Sequence, residues 1–219
     1  MARQSQGTAR QGSAGEWFSD RALDPLREIN GQCIDFLCAM ADRGERGLVL
    51  LQELAPLWRR LGPDARRRLA ECPCLLVDAG FGDELRWRQL VEHRVGEQPR
   101  EWRNACLGGE RGQSFARRVV TYGWHLARAH GSIARVALGM TPGSIERIAS
   151  LGLRDLESAA DLYPGWVRPR WESQVPVWRQ LLTAAANADE AALQQAGLRG
   201  IQLLGAGSLA QVARSRPVD

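Results

Sequence analysis

Two thiols stand one residue apart at Cys72-Pro73-Cys74, a C-x-C spacing that occurs in some metal sites. A tetrahedral zinc needs two further thiolates or imidazoles beside them. The chain has no second C-x-C, no C-x-x-C and no H-x-H, and Cys33, Cys38 and Cys106 are scattered through apolar surroundings. The five cysteines therefore read best as small buried hydrophobes, and no metal or other cofactor is expected. His125 and His130 are five apart, which places them on different faces of one helix, and His93 lies in a charged stretch. None has a serine, cysteine or acid at triad spacing. Asp83-Glu84 and Asp189-Glu190 are paired acids, yet each pair suits a helix N-terminus, where the macrodipole favours negative charge. There is no Walker loop, no G-x-G-x-x-G and no nucleophile elbow. Catalysis is not expected.

What remains is arginine. Lysine is absent, so all 29 basic residues are arginine. A GC-rich coding sequence is the bland cause of that bias. Its physical consequence is a set of planar forks that grip phosphate or carboxylate bidentately and stack on aromatic rings. A formal charge of +4 is too mild alone to announce a nucleic-acid binder, but the excess is uneven. From Arg111 to Arg179 ten arginines face five acids, a surplus of five, whereas residues 41–103 hold twelve arginines against eleven acids. Arg66-Arg67-Arg68 reads as a solvated helix face. Arg117 and Arg118 open a helix on the side opposite its apolar face. In Trp166-Val-Arg168-Pro-Arg170-Trp171 the proline stiffens an extended segment that presents two guanidinium groups to a phosphate or a groove. The alternative there is tryptophans in the core and arginines capping neighbouring carbonyls.

Helical spacing of apolar residues positions these groups. Asp24 as N-cap and Pro25 at the first position open a helix whose apolar face is Leu26, Ile29, Cys33, Phe36, Leu37 and Met40. A second helix is expected over Leu48–Leu61, kinked or broken near Ala55 by Pro56. A third, short one follows Gly62-Pro63-Asp64. Cys74 to Val77 is a short apolar run that could be a strand but has no evident partner, so it reads as a packing segment leading into a helix at Asp83–Val95. Gly96 to Gly112 carries most of the loop signals. Beyond it, Ser114 caps a helix to His130, and Ser132 caps a short one ended by Gly139. Thr141-Pro142 starts another, Leu153–Leu162 is a further helix, and Pro176 opens the next. Two short alanine- and leucine-rich helices complete the C-terminus. Ile133–Leu151 has roughly helix-turn-helix spacing, in which Ser144, Glu146 and Arg147 would face a groove. Arg135 stands where the small residue of that motif belongs.

The fold class expected is therefore all-α. Residues 1–20 read as a disordered tail, 21–95 as an N-terminal helical region, 96–112 as a linker and 113–219 as the main helical domain. With no run of about 18 apolar residues, no signal peptide and an odd number of cysteines, a reduced, cytoplasmic protein without membrane contact is expected.

The stretch HLARAHGSIARVALGMTPGSIERIASLGLRDLESAADLYPGWVRPRW resembles the core of the flagellar master regulator FlhD. The matching elements are Leu126-Ala127-Arg128, Ala137-Leu138-Gly139-Met140, Ile145–Leu151 and Leu153–Ala160, followed by Arg168 and Arg170. The N-terminal LREINGQCIDFL is similar to that regulator's opening helix, with an insertion of roughly eighty residues between the two pieces. The longer plan resembles the FlhD/FlhC-like proteins of integrative and conjugative elements and genomic islands. The resemblance implies an FlhD-like helical core and a transcriptional activator subunit that works in a homo- or hetero-oligomer. Promoter DNA and an FlhC-like subunit or a second copy are the implied partners, and RNA polymerase is a further candidate. DNA contacts are expected from Arg117, Arg118, Arg135, Ser144, Arg147, Arg168 and Arg170, and a partner interface from Trp124, Trp166 and Trp171. The rival expectation is a protein-binding adaptor or a replication or transfer accessory protein of the same element.

Overall fold

A computed structural model describes residues 20–92, 106–108 and 111–214, and their architecture is all-α. The helices are α1 (Asp20–Asp42), α2 (Val49–Arg60), α3 (Pro63–Ala70), α4 (Glu84–Val91), α5 (Gly112–Ala129), α6 (Gly131–Leu138), α7 (Pro142–Ser150), α8 (Leu153–Leu162), α9 (Val175–Ala186) and α10 (Glu190–Arg214). One 3-10 turn, Pro164–Trp166, follows α8. The tail expected over 1–20 and most of the linker expected over 96–112 lie outside the described residues. No described helix is long and apolar enough to cross a membrane.

The core does not divide between the N-terminal and C-terminal helices. One hydrophobic cluster runs through α1, α2, α3, α5, α6 and α9. Tryptophan pairs bridge the two parts: Trp58 of α2 meets Trp178 of α9 at 5.4 Å between ring centroids, and Trp87 of α4 meets Trp166 edge-on at 5.9 Å. Each indole of this size buries a large apolar area, and such ring pairs add about 0.5–1.5 kcal/mol beyond area burial. Three of these indoles also hydrogen-bond to the backbone: Trp58 donates to Leu50 O, Trp87 to Gly80 O and Trp178 to Arg170 O.

Several boundaries differ from expectation. Helix α1 begins at Asp20, so Pro25 lies inside it rather than at its first position. Helix α2 runs unbroken through Pro56, because Leu54 and Trp58 anchor it to the core on either side of that exposed proline. Ser114 and Ser132 stand within α5 and α6 rather than capping them. The C-terminal pair of helices is one helix, α10, whose Gly197 and Gly200 sit where a Cβ would collide with Pro73 and Trp171. There the missing side chain permits the contact that offsets glycine's poor helix propensity. Local signals did decide α7 and α8. Thr141 accepts from Ser144 N–H, Ser144 Oγ accepts from Thr141 N–H, and Pro142 takes the first position of α7.

The ambiguous CPCLLVD segment has its partner strand after all, from residues ninety positions later. Val77–Asp78 (β1) pairs antiparallel with Arg168–Pro169 (β2), Val77 opposite Pro169 and Asp78 opposite Arg168. The stretch from Cys72 to Asp78 is buried without helix, so its polar backbone must be satisfied from outside. Asn30, fully buried on α1, donates from Nδ2 to Ala70 O, Cys72 O and Cys74 O and accepts from Leu76 N–H. Ala137 O accepts from Leu75 N–H, and Leu76 O accepts from Arg170 N–H. The segment is the strut on which both halves lean.

Candidate nucleic-acid interface

Arg170, in sequence a leading candidate for DNA contact, is the residue most firmly withdrawn from solvent. It is 7% exposed. Its Nε donates to Leu75 O at 2.9 Å, and its Nη2 donates to Val77 O at 3.1 Å, Leu138 O at 3.1 Å and Asp78 Oδ1 at 3.3 Å. Those are the carbonyls that β1 and the end of α6 leave open, so the guanidinium fork completes the backbone of the strut. Asp78 balances the charge. Arg168 emerges beside it but closes onto Glu172 at 3.0 Å. Arg170 and Trp166 thus match the alternative of arginines capping carbonyls beside core tryptophans, whereas Arg168 pairs with a carboxylate and Trp171 is half-buried.

Ser144 is removed from the interface too. It is fully buried, spent on the cap of α7. The helix-turn-helix spacing of α6 and α7 is present, with Gly139 turning the chain at φ +70°. However, α7 lies against α4 and α5. Glu84 of α4 occupies the space beside Gly143, where an added Cβ would collide with its carboxylate. A recognition helix reads bases with its N-terminal residues. Here an acid sits at that end, and Arg147 lies 3.8 Å from the same carboxylate. The exposed side of α7 offers Pro142, Glu146 and Ser150, with no cation.

Of the three tryptophans expected at a partner interface, Trp166 is core. It is 4% exposed, stacked on Tyr163 at 4.8 Å with the Arg86 guanidinium 5.2 Å from its ring. Trp124 and Trp171 are half-buried. The Trp124 indole donates to Leu151 O, and Trp171 holds an unusual φ of +54° to turn the chain into α9.

The remaining candidates cluster on α5. Arg117 is exposed but engaged: Asp161 of α8 accepts from its Nε at 2.6 Å and its Nη2 at 2.9 Å, and that carboxylate raises its pKa. Arg118 points away from this pair and makes no ion pair among the described residues. Arg111, Ser114, Arg118, Thr121, His125 and Arg128 follow one another at three- and four-residue steps, all exposed, so they form a single stripe along α5. The Arg128 guanidinium lies 4.8 Å from the centroid of Trp124, a stacking geometry that holds it over the indole face. Helix α5 ends at Ala129, so His130 belongs to the corner before α6 and its ring approaches His125 to 6.0 Å. The two histidines therefore meet across a corner instead of standing on separate faces of one helix. Past the corner, Ser132 and Arg135 of α6 are exposed as well.

Sequence reading missed Arg111, Thr121, His125 and Arg128. The signal was present: the thirty-five residues from Arg111 to Ile145 contain neither aspartate nor glutamate. Counting charge over a wider window diluted it with the acids of α8. The opposite face of α5 carries Phe115, Val119, Tyr122 and Leu126 into the core, which fixes the stripe outward. A rigid helix bearing arginine, hydroxyl and imidazole groups, with no carboxylate of its own, can hold successive phosphates. Among the described residues no three histidine, cysteine, aspartate or glutamate side chains gather as a metal site. No protein-family model, no curated protein and no solved structure matches this chain.

Proposed function

We propose that this chain is a DNA-binding transcriptional activator subunit that grips duplex DNA along the outer face of α5, with Arg135 of α6 beyond its end. The observation that carries the DNA part is the acid-free exposed stripe from Arg111 to Arg128. Arginines with hydroxyl-bearing neighbours supply sequence-independent affinity by displacing counterions from phosphates. The activator role, and an origin on a mobile element, rest on the resemblance to FlhD. In that family one subunit type alone binds DNA weakly, so an FlhC-like partner or a second copy completes the grip. Among the described residues Trp124 and Trp171 are half-buried indoles open to such a partner, and RNA polymerase is a further candidate.

Fluorescence anisotropy on duplex DNA, titrated with salt, tests this reading. The triple variant R118A/R128A/R135A is expected to lower the slope of log affinity against log salt by about two to three units, roughly one for each phosphate no longer neutralised. Arg168→Ala is expected to leave the slope unchanged. An unaltered slope in the triple variant overturns the α5 assignment. Failure of the wild type to bind, alone or with a co-expressed neighbour, overturns DNA binding and leaves the adaptor.

A further inference from the structure

A cavity of about 540 Å³ lies between the Asp78–Arg86 segment, the Trp166–Gln174 segment and α10. It has no part in the DNA reading and is independent of it. Its volume is within the range of small-molecule sites. Arg170 lines it and brings an unspent donor. Nε and Nη2 of that guanidinium serve Leu75 O, Val77 O, Leu138 O and Asp78, but Nη1 makes no hydrogen bond among the described residues. In a side chain this withdrawn from water, two idle N–H groups are costly until an acceptor arrives. Gly139, also on the wall, keeps the approach open: it turns the chain at φ +70°, and a Cβ there would stand 3.7 Å from Nη1. Arg86 supplies a second wall. Its guanidinium fills the space that a Cβ on Gly80 would take and lies over Trp166, which is itself stacked on Tyr163. The half-buried indole of Trp171 adds ring surface.

We propose that this cavity binds a planar aromatic carboxylate, one oxygen accepting from Arg170 Nη1 and the ring lying against Trp171 and the Arg86 guanidinium. Charge sets the class of ligand. The carboxylates on the wall are committed: Asp78 to Arg170 and the Phe81 N–H, Asp83 to the backbone N–H and guanidinium of Arg86, and Glu172 to Arg168. A cation therefore finds no open acceptor, and a phosphate dianion would bring two charges against three carboxylates for one idle donor group. A monoanion needs only what Nη1 offers, and a hydrogen bond from a desolvated guanidinium to a carboxylate is among the strong ones. The flat body follows from the walls, since indole and guanidinium faces both attract aromatic planes.

The test is saturation-transfer NMR and calorimetry of the full chain with 2-naphthoate. Wild type is expected to bind it with a Kd of about 1 mM or tighter, and to bind 2-naphthamide, the same ring without the charge, and acetate, the charge without the ring, at least about tenfold more weakly. Replacing Arg170 would disturb the fold, so the cavity is blocked instead from α10. Gly207 lines it and Gly205 does not, and a Cβ on either meets nothing within 4 Å. Gly207→Leu is expected to abolish binding at an unchanged melting temperature, and Gly205→Leu to bind as wild type. Absence of naphthoate binding, equal affinity for the naphthamide, binding retained by Gly207→Leu, or equal loss in Gly205→Leu would each overturn the site.

Discussion

Arg170, just past β2, and the arginines on the outer faces of α5 and α6 are the same residue in two opposite uses. Arg170 sits under the chain, its fork bonded to three carbonyls and one carboxylate, and it is worth something only while the fold holds. Arg118 and Arg135 stand outside, without an ion pair among the described residues, and the fold is indifferent to them. Both lie in the electropositive half of the sequence. The difference is the company each backbone keeps: the chain through β2 to Arg170 lies against a buried strut whose carbonyls need donors, while α5 and α6 satisfy their own backbones and leave Arg118 and Arg135 with no carbonyl to serve. Local positive charge is therefore a poor guide to a binding surface until the open carbonyls have been counted.

Removing Arg170 should do the most damage. Arg170→Ala orphans Leu75 O, Val77 O and Leu138 O and leaves Asp78 without its cation, which should cost about 3–5 kcal/mol in chemical denaturation. Arg170→Lys should recover only part of it, because an ammonium cannot span the same fork of acceptors. A loss below about 1 kcal/mol would erase the contrast between the two regions. Asn30→Ala probes the other side of the same strut and should cost about 2–3 kcal/mol, since four hydrogen bonds disappear from a buried site.

The outer arginines should behave inversely. R118A/R128A/R135A should change folding stability by no more than about 0.5 kcal/mol while lowering DNA affinity and its salt dependence, as expected of exposed residues. Comparable destabilisation by the triple variant and by Arg170→Ala would show that the α5 stripe is structural as well.

Buried groups on α1 and α5 provide a pH test. Burial pushes the Tyr122 phenol from its ordinary 10 up to about 12, and burial raises the Cys38 thiol from 9 to about 11. In both cases the folded state holds the proton more tightly than the unfolded one. Their contribution is thus fully present below pH 9 and is lost as pH climbs from there toward 12. Melting temperatures measured from about pH 8 to about pH 11.5 should fall along that range, and Tyr122→Phe should flatten the upper part of the fall.

The smallest expected effect is a gain. Gly31 lies mid-way along α1, and an added Cβ would meet Ala70 Cβ at 3.9 Å, an ordinary contact. Gly31→Ala should stabilise the fold by about 0.5–1 kcal/mol through helix propensity and a less flexible unfolded chain. A destabilising result would mean that α1 and α3 are packed more closely than their backbones indicate.

How much of this was legible can be judged from single residues. The bounds of α7 and α8 were readable because caps act within three or four positions of the chain. The apolar face of α1 was readable from its spacing, but spacing carries no sign of Asn30, whose acceptors and donor lie forty or more residues away. The β1–β2 pair was not readable, since two residues carry no periodicity and the partner lies ninety positions away. Arg170 was misread for the same reason, its acceptors at Leu75 and Val77 being 95 and 93 residues distant. Arg128 and His125 were within reach of a finer count of acids and were missed by a coarse one.

By itself the sequence determined the helices up to α9, their order and the absence of acid from α5 and α6, because these depend on spacing, caps and composition that act locally. Only the tertiary structure decided which arginines are buried. A guanidinium goes where unpaired carbonyls lie, and those are set by how distant segments meet.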